Sequence, residues 1–261
     1  MKKIISVSVA AMVIIAACML FLGCASTGGT TGSREPVMVT YLAGEGASGE
    51  GPDAVSAAVG SRIVLAGNPF FRRGYYFNGW SDGSRTYRQG DSVRINADMQ
   101  FTAQWAQATN VRMLLSPDAE DMTWETIPQA EFLTEGERGY YEITHNDDLV
   151  FVWRDGTMDL SEFARNSGRL HLSVYVDNPG PITGGQFEIT SSGTADIDEW
   201  TFGEFGSGQY RLIQGWNTFV IPLSEAHRLG NPNWAQIDFF RFYLNPVARV
   251  TVRVSDVYLF Y

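Results

Sequence analysis

Thiols, lysines and histidines are scarce in this chain of 261 residues. It has two cysteines, two lysines and three histidines. The cysteines are Cys18 and Cys24 and the lysines are Lys2 and Lys3, so all four stand within the first 24 residues. From Ala25 onward there is no thiol, which excludes disulfides, cysteine-ligated zinc and cysteine nucleophiles from that part of the chain. His145, His171 and His227 are far apart, and none of them forms a paired-histidine metal motif on a helix. Ser-x-x-Lys, Gly-x-Ser-x-Gly and His-Glu-x-x-His are all missing.

Basic charge is also in short supply. Beyond the first 23 residues, 17 arginines face 29 acids, a net charge of −12. Nucleic-acid binding needs a basic face to neutralise phosphates, so this balance argues against that partner class. Aromatics make up 13% and charged residues 18% of the chain, a composition of packed β structure and not of disorder.

The first residues form an N-terminal address. Met1-Lys2-Lys3 is basic, and Ile4 to Leu22 is apolar or small apart from Ser6 and Ser8. This reads as a secretory signal, residues 1–23, to be set aside in fold reasoning. Nineteen residues from Ile4 to Leu22 are also just long enough for a membrane-spanning helix. The residues at the end of the apolar run decide between the two. Phe21-Leu22-Gly23-Cys24 resembles a bacterial lipobox, with Phe21 where the pattern usually has Leu, Val or Ile. The resemblance implies lipidation of Cys24, with Ile15-Ala16-Ala17-Cys18 as a competing match, and a membrane partner reached through the lipid. Ala25 beside it resembles the outer-membrane sorting signal, so the expected location is the cell envelope, on the outer membrane. Residues 24–36 then read as a Gly/Ser/Thr-rich tether with a reach of roughly 20 Å.

Residues 37–105 read as a small β domain. Val37–Leu42, Ser61–Leu65, Gly74–Trp80, Ser92–Ile95 and Met99–Trp105 are strand-like, and the last alternates strictly. Arg73-Gly74-Tyr75-Tyr76-Phe77-Asn78-Gly79-Trp80, Gly90-Asp91-Ser92-Val93 and Phe101-Thr102-Ala103-Gln104-Trp105 together resemble one copy of the Listeria–Bacteroides, or internalin B-type, repeat. That resemblance implies a β-grasp-like unit of surface proteins with no catalytic residues. Its aromatics Tyr75, Phe77, Trp80, Phe101 and Trp105 are expected in the core, because so small a domain needs large side chains to bury enough area.

Residues 106–261 are nearly all strand and turn. Tyr140–Thr144 and Leu149–Trp153 flank Asn146-Asp147-Asp148 and read as a hairpin. Asp159 is placed to cap a helical turn over Asp159–Ala164. Leu170, Leu172, Val174 and Val176 point inward, and His171, Ser173 and Tyr175 outward. Trp216 is assigned to the core. Val250, Val252 and Val254 alternate, and the phase shift at Ser255-Asp256 predicts a bulge. The fold class is therefore all-β, with an antiparallel β-sandwich or jelly roll as the larger domain. Gly168-Arg169-Leu170-His171-Leu172, Gly215-Trp216-Asn217-Thr218 and Ser255-Asp256-Val257-Tyr258 fall in an order similar to galactose-binding-like sandwich modules and carbohydrate-binding modules.

A sugar ring stacks its C–H face on indole or phenol while carboxylates and amides take its hydroxyls. Trp153, Trp200 and Trp234, with Asp198 and Asn233 nearby, are the expected ligand residues. Acidic runs at Asp118-Ala119-Glu120-Asp121, Asp147-Asp148 and Asp196-Ile197-Asp198-Glu199 offer oxygen ligands of the kind Ca²⁺ takes. Asp147, Asp148 and Asp256 are the candidate structural calcium site, and no other cofactor is required. The expected role is non-catalytic binding of a glycan, with the repeat domain as spacer. A surface protein as partner stays open, as does a glycoside hydrolase, which needs only two convergent carboxylates.

Overall fold

The computed structural model describes residues 35–115, 124–154, 156–206 and 210–261. Cys18, Cys24, most of the expected tether and the Asp118–Asp121 run lie outside the described residues. The structure is almost wholly β, with a single short α-helix among the described residues. Two lobes with separate cores pack on one another within one compact unit.

The first lobe contains β1 (Val37–Leu42), β2 (Val55–Ala57), β3 (Arg62–Val64), β4 (Tyr75–Ser81), β5 (Thr86–Tyr87), β6 (Ser92–Arg94) and β7 (Met99–Gln107). Its main sheet has the order β2-β1-β7-β4-β5, with β1 and β7 parallel at its centre, and β3 pairs β6 apart from it. Alternation in β7 buries Phe101 and Ala103 on one side, and Val39 and Tyr41 of β1 join them. Trp80 is fully buried, with Tyr41 at 4.8 Å and Phe77 at 5.0 Å between ring centroids. Polar handles on these rings are satisfied: Trp80 Nε1 donates to the Ala66 carbonyl at 2.8 Å, and Trp105 Nε1 to the Ala43 carbonyl at 2.8 Å. Each such buried aromatic contributes about 1.5–3 kcal/mol by area removed from water. Gly79, at φ +122°, sits at the irregularity between β4 and β7, where a Cβ would lie 2.5 Å from the Tyr87 carbonyl oxygen.

The second lobe is a sandwich. Its strands are β8 (Arg112–Leu115), β9 (Trp124–Ile127), β10 (Glu131–Glu135), β11 (Arg138–His145), β12 (Leu149–Trp153), β13 (Arg169–Val176), β14 (Ile182–Thr190) and β15 (Glu199–Phe202). They continue with β16 (Phe205–Gly206), β17 (Tyr210–Arg211), β18 (Gly215–Pro222), β19 (His227–Leu229), β20 (Phe239–Pro246) and β21 (Val250–Phe260). The first sheet runs β10-β11-β21-β13-β18, with β8 also on β21; the second runs β19-β15-β14-β20-β12-β9. Helix α1 (Ser161–Arg165) follows β12, and the Asp159 carboxylate accepts the Ser161 N–H at 2.9 Å. Between the sheets lie Leu170, Leu172, Val174 and Val176 of β13 and Phe187, Phe240 and Phe242 of the second sheet, all at most 1% exposed.

Asn146-Asp147-Asp148 does not close a hairpin. β11 pairs β21 in the first sheet and β12 pairs β9 and β20 in the second, so this turn carries the chain across the sandwich. A local turn signal constrains the chain direction but not the partner strand.

The bulge at Ser255-Asp256 is present: Leu172 faces Val257 and Val174 faces Val254, leaving one extra residue on β21. It reverses the phase of the strand. Val250, Val252 and Val254 before it, and Val257 and Leu259 after it, all face the core, so Tyr258 and Phe260 face out. There they meet the first lobe, with Tyr76 at 5.0 Å from the Phe260 ring.

This contact covers the outward side of β13. His171 and Ser173 do point away from the sandwich core, yet both are 5% exposed because the first lobe covers that face. Trp216 is likewise buried, but between the lobes, with the Arg138 guanidinium 4.2 Å from its ring. Arg138 Nη2 donates to the Phe70 carbonyl at 2.7 Å, and the Thr218 N–H donates to Gln89 Oε1 at 3.0 Å. A Cβ on Gly67 would stand 2.0 Å from the Trp216 carbonyl oxygen, so only glycine permits this approach.

Candidate functional site

With one outer face of the sandwich occupied by the first lobe, the outer face of the second sheet is left. Directly opposed residues on antiparallel strands share a face. The pairings place His227, Thr201, Glu188, Arg241, Val152 and Glu125 in one row across the six strands. Gln186, Tyr243, Val150 and Ile127 form the row beside it.

Arg241 and Glu188 are joined twice, Nε to Oε2 at 2.6 Å and Nη2 to Oε1 at 2.8 Å. This is the planar fork geometry that guanidinium and carboxylate favour. The Glu188 side chain is fully buried beneath, and that of Arg241 keeps 26% of its surface exposed. Burial pushes the Glu188 carboxyl up, and the bond to Arg241 pulls it back; the same bond holds Arg241 up. Arg241 also lies 4.9 Å from the Tyr243 ring centroid, and the Tyr243 hydroxyl donates to Gln186 Oε1 at 2.8 Å. The result is a half-exposed phenol and guanidinium, flanked by amide, hydroxyl and carboxylate groups, on a rigid sheet. Chemically it offers planar surfaces for an apolar ring face and donors and acceptors for hydroxyls.

At the rim, Glu188, Asp196 and Glu199 bring carboxylate oxygens within 4.8 Å of one another. Glu199 accepts the Asp196 N–H at 2.8 Å and the Thr201 hydroxyl at 3.1 Å. Both oxygens of Glu188 are taken by Arg241, so a cation would have to displace a guanidinium there. Asp147, Asp148 and Asp256 do not come together. Asp148 accepts from Asn245 Nδ2 at 2.7 Å beside the turn after β11. Asp256 stands six residues along β21 from Val250, the partner of His145, roughly 20 Å at strand rise.

The expected aromatic platform is corrected as well. Trp153 faces inward, 4% exposed, against Phe240 at 5.1 Å. Trp200 faces inward, 8% exposed, and stacks on Trp234 at 3.9 Å and 20°. Alternation explains both, since they share phase with Phe151 and Phe202 of their own strands. Trp234 is half-buried over this corner of the core, and Asp198 and Asn233 do gather near it. Their polar atoms hold the loop: Asp198 Oδ1 accepts the Asn231 N–H at 2.7 Å, and Asn233 Oδ1 accepts the Ala235 N–H at 3.1 Å. Sequence reasoning passed over Arg241 and Tyr243. Their signal lay in Phe240-Arg241-Phe242-Tyr243-Leu244, where two polar side chains alternate against three apolar ones.

No family model matches the chain, and no curated protein matches it. Among solved structures it is similar to the family 11 carbohydrate-binding module of the cellulosomal cellulase Lic26A-Cel5E of Clostridium thermocellum, at 14% identity and a TM-score of 0.43, over 59% of this chain and 96% of that one. A family 30 carbohydrate-binding module matches at 15% identity and a TM-score of 0.38, over 53% of this chain and 77% of that one. The agarase AgWH50C matches at 9% identity and a TM-score of 0.40, over 59% of this chain and 24% of that one.

Proposed function

We propose that this chain is a lipid-anchored protein of the cell envelope that binds glycan, without catalysis, on the open face of the second sandwich sheet. The observation that carries the reading is the cross-strand group Gln186–Tyr243 and Glu188–Arg241, on the one sandwich face that the first lobe leaves uncovered. Tyr243 and Arg241 supply flat surfaces for the C–H face of a pyranose, and Gln186 and Thr201 supply hydrogen bonds to its hydroxyls. The first lobe, read as a Listeria–Bacteroides-type repeat, acts as a spacer seated directly on the sandwich. The lipobox-like Phe21–Cys24, Ala25 and the Gly/Ser/Thr tract support attachment to the outer membrane through Cys24.

A glycan array probed with residues 34–261 tests the binding role. Binding to a defined glycan that Tyr243→Ala and Arg241→Gln each weaken, with the fold retained, is the expected result. A blank array from folded protein sinks the reading. A second reading is protein binding, favoured by the exposed Phe132 on β10 and Ile127 on β9; a partner recovered equally well by Tyr243→Ala would support it.

A further inference from the structure

We propose that the cleft between the two lobes is a second binding site, built to hold one neutral sugar ring, with walls from both lobes. The cleft has a volume of about 200 Å³. Phe71, Arg73 and Tyr75 line it from the first lobe, and Glu137, Asp256 and Tyr258 from the sandwich. Its volume is below the roughly 300 Å³ at which pockets take drug-sized ligands. It corresponds to the liquid share of roughly six or seven waters, the size of a single pyranose.

The walls are apolar rings and balanced charge. Arg73, Glu137 and Asp256 line the cleft and Arg138 lines the small chamber that adjoins it, so across the two spaces two cations stand with two acids and neither a cation nor an anion is favoured by the sum of charges. Aromatic faces with carboxylates and guanidinium groups between them suit a ring with an apolar face and several hydroxyls. Arg72 lies 3.8 Å from the Tyr75 ring centroid and steadies that wall.

An independent observation points to an oxygen-bearing ligand. A second chamber of about 20 Å³ shares Phe71, Tyr75 and Asp256 with the cleft and is lined by Arg138, His171 and Ser173. Arg138 is 6% exposed, and its Nε and Nη1 atoms have no hydrogen-bond partner among the described residues. A chamber of that size accepts one oxygen atom with its hydrogens. Buried donors call for acceptors. A hydroxyl reaching inward from the ring would supply one to Arg138. This site does not depend on the open face of the second sheet.

Saturation-transfer NMR on residues 34–261, with the methyl pyranosides of glucose, galactose, mannose and N-acetylglucosamine as probes, tests it. One of them should receive saturation, and Glu137→Gln and Tyr75→Ala should each weaken its binding about tenfold or more. Tyr243→Ala on the outer face should leave it unchanged. Glu137 is exposed, so its substitution leaves the fold intact even where Tyr75→Ala disturbs it. Binding of none of the four, or binding that survives Glu137→Gln undiminished, overturns the proposal. So does binding of glucuronate with no binding of a neutral pyranoside. Array binding that persists while the cleft fails would leave the open-face reading standing; the reverse would remove that reading and keep this one.

Discussion

Arg138 Nη2 donates to the backbone carbonyl of Phe70 at 2.7 Å, joining residues 68 apart in sequence across the junction of the two lobes. The guanidinium lies against Trp216 and Phe71. Burial lowers it to about 10, opposed by the charges of Asp256 and Glu135, so it remains a cation at neutral pH. The first lobe is thus bolted to the sandwich by a buried charge and a backbone approach at Gly67, and its position decides which sandwich face meets solvent.

Breaking that junction should separate the lobes energetically. Arg138→Ala removes the bond to Phe70 and the packing on Trp216, and Gly67→Ala forces a methyl into the Trp216 carbonyl. Each is expected to cost roughly 2–4 kcal/mol. Calorimetry should show one transition for the parent protein and a broadened or split one for the variants. Variants that unfold as cooperatively and at the same temperature as the parent would show that the junction contributes nothing.

Stability should fall on acidification through His171. Burial pushes this imidazole from an ordinary value near 6.5 down to about 3, and its Nδ1 faces the Asp256 carbonyl at 3.3 Å. Between those values the unfolded chain binds the proton and the native protein does not, so stability present above pH 6.5 is lost as pH falls toward 3. The full loss is on the order of 5 kcal/mol. His171→Gln should flatten the difference between urea midpoints at pH 7 and pH 4. An unchanged pH slope in that variant would assign the acid sensitivity to carboxylates instead.

Arg241→Ala should show the opposite pH trend. It strands the fully buried Glu188 without its cation, at a cost of roughly 2–4 kcal/mol near neutrality. The Glu188 carboxyl, already pushed up by burial, then rises further. A native carboxyl above its unfolded value binds protons more tightly when folded, so the deficit against the parent should shrink as pH falls through the carboxylate range. Chemical denaturation at pH 7 and pH 5 measures this. A deficit that does not change with pH would mean Glu188 is not ionised in the parent.

Mass spectrometry of the protein recovered from membranes should find a mature N-terminus at Cys24 carrying acyl chains. Cys24→Ala should release the protein from the membrane, because one or more acyl chains supply about 0.8 kcal/mol per buried methylene. An unmodified Cys24 in membrane-bound protein, with Cys18 acylated, would move the anchor upstream.

Much of the fold was legible along the chain because strand periodicity is local. The alternation Leu170, Leu172, Val174, Val176 named a core face whose members are all fully buried, and the broken phase at Ser255-Asp256 named a bulge that is there. Of the five first-lobe aromatics expected in the core, Phe77, Trp80 and Phe101 are buried there and Trp105 packs half-buried against them, whereas Tyr75 stands outside that core and lines the cleft between the lobes. The same periodicity could place Trp153 and Trp200 only once strand phase was weighed above residue type, and it then sends both inward.

What the sequence by itself determined is therefore which residues alternate, where chain direction changes, and which chemistries have no residues to perform them. What only the tertiary structure decided is which polar faces are solvent faces. His171 and Ser173 read as outward, and they are, but onto another lobe. Arg241 and Tyr243, two polar side chains alternating with Phe240, Phe242 and Leu244, stand on the face that the first lobe does not cover. The physical reason is that a period of two separates the sides of a sheet without saying what covers either one. That depends on contacts between residues distant in sequence, such as Arg138 with Phe70 and Gly67 with Trp216.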